Sequence, residues 1–410
     1  MGRFKWLYPG MRIKRWILLC VLSVCFVTIG FFINVTKSSN TDRTGGSLVL
    51  ILGVALLYIS VRKMIKTFVT IFLPERENEL VDIVYQKRLL ERGPKIVAIG
   101  GGTGLSVLLH GLKEYSSNIT AIVTVADDGG SSGRLREQFD MLPPGDIRNC
   151  LVALADTEPL MRNLFQFRFK GSSELNGHSF GNLFITALSE VTGDFEKAIK
   201  ESSKILSIRG RVIPSTTDKV VLKAEFDDGS VAEGESNITK SAKSVKRIFI
   251  DPHDCRPSQD VLEAINSADA VIFGPGSLYT SVIPNLLVKD ISDAVISTKA
   301  IKVYICNVMT EHGETDRYTT LDHINAIARH ASPKVVDYCI VNNAKVPVQL
   351  LERYKNENKF PVIVNSKDME RAGYRVIEGE VISTKDFVRH DSEKLARIVI
   401  NLILHSKNHR

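Results

Sequence analysis

Two uncharged apolar stretches, residues 16–35 and 44–61, stand at the front of the chain. At about 1.5 Å of rise per residue the first spans roughly 30 Å, the hydrocarbon thickness of a bilayer, and the second is sufficient with little tilt. The first run is longer than a signal-peptide core and no small-x-small cleavage site follows it, so both are read as transmembrane helices. Residues 67–94 then mix charge with Leu80, Ile83, Val84, Tyr85 and Leu90, the pattern of an amphipathic connector lying near the bilayer, which Gly93-Pro94 ends. From Lys95 the periodicity changes. Apolar β-branched runs at 95–99, 119–125, 247–250, 270–273, 302–306 and 335–341 alternate with helical patterns at 105–115, 183–191, 260–267 and 322–331. This alternation predicts an α/β fold, a Rossmann-like three-layer parallel sheet covered by helices on both faces. Residues 220–225 and 231–235 flank Asp227-Asp228-Gly229-Ser230 and predict an inserted β-hairpin. The expected organisation is a membrane anchor (1–66), the connector (67–94) and one cytoplasmic ligand-binding domain (95–410).

Charge sharpens this division. The net charge of +7 suggests nucleic acid until it is placed along the chain. Residues 1–94 hold 14 Lys/Arg against 6 Asp/Glu, leaving 39 against 40 in the remainder, so the predicted domain carries no basic excess and nucleic-acid binding is not expected. Arg3, Lys5, Arg12, Lys14 and Arg15 precede the first apolar run, and Arg62, Lys63 and Lys66 follow the second, whereas residues 36–43 hold only Lys37 and Arg43. By the positive-inside rule both ends face the cytoplasm of a multi-pass cell-membrane protein. Cys20, Cys25, Cys150, Cys255, Cys306 and Cys339 show neither zinc-ligand nor disulfide spacing and fit a reduced compartment.

The strongest chemical signal opens the domain. Lys95-Ile96-Val97-Ala98-Ile99 runs into Gly100-Gly101-Gly102-Thr103-Gly104 and then a helix. Glycines between a first strand and a helix let backbone N–H groups approach an anion, and the helix N-terminus adds its positive dipole end. The loop lacks the Gly-Lys-Ser/Thr of a Walker A motif and the third glycine of the dinucleotide fingerprint. After the second predicted strand comes Asp127-Asp128-Gly129-Gly130-Ser131-Ser132-Gly133, where a nucleotide fold places an acid on ribose hydroxyls and where Asp127 and Asp128 beside Ser131 and Ser132 equally suit a divalent cation such as Mg.

Two further segments follow strands in the same way, Gly274-Pro275-Gly276-Ser277-Leu278-Tyr279-Thr280-Ser281 and Asn307 with Thr310-Glu311-His312-Gly313-Glu314-Thr315. Ligands of open parallel sheets sit outside the strands' carboxyl ends, where these segments converge. Pro143-Pro144-Gly145-Asp146-Ile147-Arg148-Asn149 and His178-Ser179-Phe180-Gly181-Asn182 contribute Asp146, Asn149 and Asn182 as further polar candidates, although Ser179 or Asn182 equally suits a helix N-cap.

Taken in order, Gly-Gly-Gly-Thr-Gly-Leu, Asp-Asp-Gly-Gly-Ser-Ser-Gly-Arg-Leu-Arg, Pro-Pro-Gly-Asp-Ile-Arg-Asn, Phe-Gly-Asn-Leu-Phe-Ile, Gly-Pro-Gly-Ser-Leu-Tyr-Thr-Ser and Gly-Glu-Thr resemble the gluconeogenesis factors of bacteria, relatives of 2-phospho-L-lactate transferase. The resemblance runs over residues 95–396, and residues 1–94 lie outside it. It implies a regulator that binds UDP-N-acetylglucosamine, adjusts carbon flow into cell-wall precursors and supports cell shape, acting on a cell-wall precursor enzyme. In the transferase branch it implies transfer of a phospholactyl group from a nucleotide carrier to a deazaflavin alcohol, with a divalent metal. It implies further that Gly101, Gly102, Thr103 and Gly104 meet the ligand's phosphates, that Asp127 meets a ribose or metal, that Asn182, Gly274, Gly276 and Ser277 line the cleft, and that Arg389 takes part. Tyr354 offers a ring for uracil, and equally fits a half-buried helix aromatic.

Two function classes follow, a nucleotide-sugar-binding regulator and a transferase whose available carboxylates are Asp127, Asp128 and Asp146. No nucleophile elbow, His-Glu-x-x-His or cysteine signature argues for hydrolysis. The regulator is the expected class, with catalytic residues and oligomeric state left open.

Overall fold

The structure, a computed structural model, describes residues 14–37, 39–72, 80–172, 174–384 and 387–408. Two compact units divide at Arg88/Leu89. In the first, helices Lys14–Thr36 and Asn40–Phe72 are long and apolar enough to cross a membrane by length and composition. The second helix starts inside the loop expected at 36–43: Asp42 lies in its first turn, where a carboxylate is favoured, and the Arg43 N–H already bonds the Ser39 carbonyl. Arg3, Lys5 and Arg12 lie outside the described residues, as does the middle of the expected connector, which continues as helix Leu80–Glu91.

Small residues recur every seven positions where the two helices meet. Ser23 and Gly30 on the first and Gly46, Gly53 and Ser60 on the second are buried, while Leu18, Phe31, Phe32, Leu48 and Ile51 point outward. A Cβ at Gly30 would stand 2.6 Å from the Leu50 nitrogen, and one at Gly53 would stand 2.7 Å from that of Val27, so only glycine allows this approach.

The second unit is built on seven parallel strands. In chain order β1 is Ile96–Gly100, β2 Ile119–Val123, β3 Arg211–Pro214, β4 Val221–Phe226, β5 Val231–Glu233, β6 Val245–Asp251, β7 Ala270–Phe273, β8 Ile301–Ile305, β9 Tyr338–Asn342 and β10 Arg375–Gly379. The sheet order is β10-β9-β8-β7-β1-β2-β3, with Ile96 of β1 paired to Ile119 on one side and Ala270 on the other. Alternation along β1 separates the two cores. Val97 and Ile99 face a layer containing Ile122, Phe273 and Tyr304; Ile96 and Ala98 face Leu105, Leu108, Ile147, Leu395 and Val399 of covering helices. This is the expected three-layer α/β architecture.

The insert differs from expectation. The 247–250 run was expected among the parallel strands, but β6 pairs antiparallel with β4, making the hairpin β4–β5 part of a three-stranded sheet β5-β4-β6. The burial of β4 alternates, which suits a sheet covered on one face, whereas the strands of the main sheet are buried on both.

Candidate functional site

The chain leaves β1 toward β2 and β3 on one side and later returns through β7 on the other, so the sheet has its topological switch point between β1 and β7. Ligands of such sheets sit outside the strand ends at that point. Here the two glycine turns meet. The Gly274 N–H bonds the Ile99 carbonyl at 3.0 Å, and a Cβ at Gly104 would stand 2.5 Å from the Pro275 carbonyl oxygen, so helix Gly102–Leu112 starts directly against the second turn. Gly102 holds φ +65° with Ser281 Oγ, 3.7 Å away, as the nearest atom to an added Cβ, so its outer side is open. Asn307 fixes the second turn from β8, its Oδ1 accepting from Gly276 N–H at 3.2 Å and its Nδ2 donating to the Gly276 carbonyl at 2.8 Å.

Together these turns floor a cleft of 490 Å³. Of the expected residues, Gly101, Gly102, Thr103, Gly104, Gly276, Ser277, Asn307, Tyr354 and Arg389 line it. Its lining also holds Arg353, Lys359 and Arg389 beside Glu235, Glu311 and Glu357. Arg353 and Arg389 both stack on the Phe387 ring, 4.5 and 5.0 Å from its centroid, while Lys359 pairs with Glu357 at 3.6 Å. Tyr354 packs on the small cluster Val308, Met309, Ile382 and Val388, and its hydroxyl accepts the Val388 N–H at 3.1 Å, holding in place the segment that carries Phe387 and Arg389. That is a structural duty added to whatever its ring contributes at the cleft.

Buried carboxylates gather against the glycine turns. Burial, reinforced by repulsion from Asp127, pushes Asp146 up to about 6; burial and the charges of Asp127 and Asp146 push Glu235 up to about 8; burial pushes Glu314 up to about 7 against a hydrogen bond from Ser277. Burial also raises Asp127, opposed by hydrogen bonds from Gly129 and Ser132. Near neutral pH this group therefore carries protons, and a protonated Glu235 adds a donor to the cleft it lines.

Several expected residues act on the loops themselves. Asp146 accepts the Gly102 N–H, and its Oδ2 would stand 2.5 Å from a Cβ at Gly101, so it braces the first glycine turn from behind. Asp128 accepts the Ser236 N–H at 2.8 Å and so caps helix Glu235–Ser241 of the insert. Ser131 is buried between His178 Nδ1 at 3.1 Å and Asn182 Nδ2 at 3.0 Å, while Ser132 hydrogen-bonds Asp127 and Gly274 forms the bend after β7. Asn149 lines a separate, neighbouring cavity. Among the described residues no three His, Cys, Asp or Glu side chains group as metal ligands. Glu235, Arg353, Lys359 and Phe387 escaped sequence reasoning because none belongs to a motif; only the fold brings the insert and the 353–359 segment to the glycine turns.

Comparisons with known proteins agree with this geometry. The family model for 2-phospho-L-lactate transferase CofD matches residues 96–382. A provisionally named gluconeogenesis factor of Clostridium acetobutylicum is 46% identical over 416 residues, covering 98% of this chain and 92% of its own, and the gluconeogenesis factor of Bacillus subtilis is 48% identical over 311 residues, 76% of this chain and 98% of its own. The first of these matches takes in most of residues 1–94, so the helical front that sequence reading set outside the resemblance is shared with some relatives. The crystal structure of a UPF0052-family protein from Bacillus halodurans superposes with a TM-score of 0.73 at 46% identity, covering 75% of this chain and 99% of that one.

Proposed function

The chain belongs to the gluconeogenesis factor family, with a domain of the 2-phospho-L-lactate transferase type, and on that premise we propose that it is a membrane-anchored regulator that binds UDP-N-acetylglucosamine in the cleft at the switch point. The observation that carries this reading is that two glycine turns at the switch point share one cleft with Arg353 and Arg389, neither of which forms an ion pair among the described residues. A diphosphate offers two negative charges and several acceptors, and this arrangement offers backbone donors below and guanidinium groups above. The cleft volume of 490 Å³ lies in the range of small-molecule sites, and Tyr354 lines it where a base ring has a partner. The apolar helices 15–36 and 40–67 support anchoring, and the charges flanking them support a cytoplasmic domain near enzymes of cell-wall precursor synthesis, through which carbon flow and cell shape are adjusted.

Calorimetry of the full chain in detergent tests this. UDP-N-acetylglucosamine should bind with saturable heat and release no uridine product on prolonged incubation with magnesium. Steady turnover of a nucleotide-activated phospholactate onto a deazaflavin alcohol would overturn the regulator reading in favour of the transferase.

A further inference from the structure

Beside the glycine-loop cleft lies a larger cavity of 780 Å³, and the two share Thr103, Val107, Phe387, Arg389 and His390 as a common wall. We propose that this second cavity binds a second small molecule, phosphorylated and rich in hydroxyl groups, and that it competes with the glycine-loop ligand for Arg389.

The lining chemistry carries the proposal. Arg162 and Arg389 both reach the cavity, and neither forms an ion pair among the described residues. Among the described residues the lining holds one carboxylate, Asp391, which accepts the backbone N–H groups of Glu393 and Lys394 at 3.1 and 3.0 Å, at the start of helix Ser392–Asn408. Two guanidinium groups against one carboxylate leave the lining net positive and favour an anion, and their planar forks match phosphate. Around them stand Asn163, Gln166 and His110, side chains that donate to or accept from hydroxyl groups. Burial and the nearby Lys113 favour the neutral His110 imidazole, whose N–H is held by the Ala153 carbonyl, leaving the other ring nitrogen as an acceptor. The cavity does not suit a flat aromatic acceptor, since Phe387, its one aromatic lining residue, already carries two guanidinium groups on its ring.

Sharing fixes the sign of the coupling. Arg389 lines both cavities, so an anion in either draws the same guanidinium and adds a repulsive charge near the other site. Each ligand should weaken the other, reciprocally.

Isothermal titration of the full chain in detergent with glucose 6-phosphate, and with glucose as the unphosphorylated control, tests the site directly. Glucose 6-phosphate should bind, glucose should not, and saturating glucose 6-phosphate should weaken UDP-N-acetylglucosamine binding. Arg162→Gln, altered only in the second cavity, should weaken glucose 6-phosphate about tenfold or more while UDP-N-acetylglucosamine affinity is retained, which also reports that the variant is folded. Lys359→Gln, altered only in the first, should do the reverse. Absence of glucose 6-phosphate binding to the unaltered chain would overturn the proposal, as would its loss in Lys359→Gln with retention in Arg162→Gln, which would place it in the glycine-loop cleft. Binding of glucose 6-phosphate with none of UDP-N-acetylglucosamine would sink the proposed function and leave this site standing.

Discussion

Replacing Gly102 with alanine asks whether the open side of the glycine turn is the place of the ligand. Gly102 adopts φ +65°, so an alanine there costs about 1–2 kcal/mol in backbone strain, offset by about 0.4–1 kcal/mol from the less flexible unfolded chain. The nearest heavy atom to the new Cβ is Ser281 Oγ at 3.7 Å, an ordinary contact, so nothing in the protein itself need move. A phosphate oxygen held about 2.9 Å from the loop's N–H groups would have to share that space with the methyl. Binding should then weaken by more than about 1.4 kcal/mol, tenfold in affinity. Gly229→Ala is the matched control. Its φ is +80°, nothing lies within 4 Å of its added Cβ, and it sits in the turn between β4 and β5, so it carries similar strain away from the cleft. Circular dichroism and thermal melts should show both variants folded and about equally destabilised, and calorimetry with UDP-N-acetylglucosamine should separate them. Equal loss of affinity in two folded variants, or unchanged affinity in Gly102→Ala, would refute the placement of the ligand.

Three other outcomes are expected. Asp146, Glu235 and Glu314 have folded-state pKa values raised above their ordinary ones, 3.8 for the aspartate and 4.5 for the glutamates, to about 6, 8 and 7, so the folded chain holds extra protons and the stability this gives, complete below about pH 3.8, is lost as pH rises through 8. The urea midpoint of the α/β unit should fall between pH 5.5 and 8.5, and Glu235→Gln should flatten that fall; a midpoint that rises with pH would contradict the burial argument. Reporter fusions after Arg15 and at Arg410 should read cytoplasmic and one near Asn40 external, and an external C-terminus would overturn the membrane reading. Gly53→Leu, whose side chain would collide with the Val27 backbone where a Cβ alone comes within 2.7 Å, should open the helical pair to proteolysis while leaving UDP-N-acetylglucosamine affinity unchanged.

What could be read from sequence was what is local. The glycine turns after β1 and β7 are legible because a strand, its turn and the next helix are contiguous, and β7 falls on residues 270–273 as expected. Adjacent aspartates were not separable by sequence: Asp127 bonds Gly129 N–H within its own turn, while Asp128 reaches 108 positions along the chain to Ser236. β3 went unseen because four residues ending in Pro214 give too short a period, and it earns its place as an edge strand beside β2. The arginines of the cleft were only partly visible, Arg389 through resemblance and Arg353 not at all, since Arg353 joins the cleft by stacking on a ring 34 positions away.

The central claim is that a nucleotide-sugar diphosphate lies over the glycine turns at the switch point between β1 and β7. A crystal structure of the full chain with UDP-N-acetylglucosamine tests it most directly. The account predicts diphosphate oxygens at hydrogen-bond distance, about 2.7–3.2 Å, from the backbone nitrogens of Thr103 and Gly104, with a guanidinium of Arg353 or Arg389 on their other side. A diphosphate bound in the neighbouring cavity, or on any surface away from both glycine turns, would contradict it.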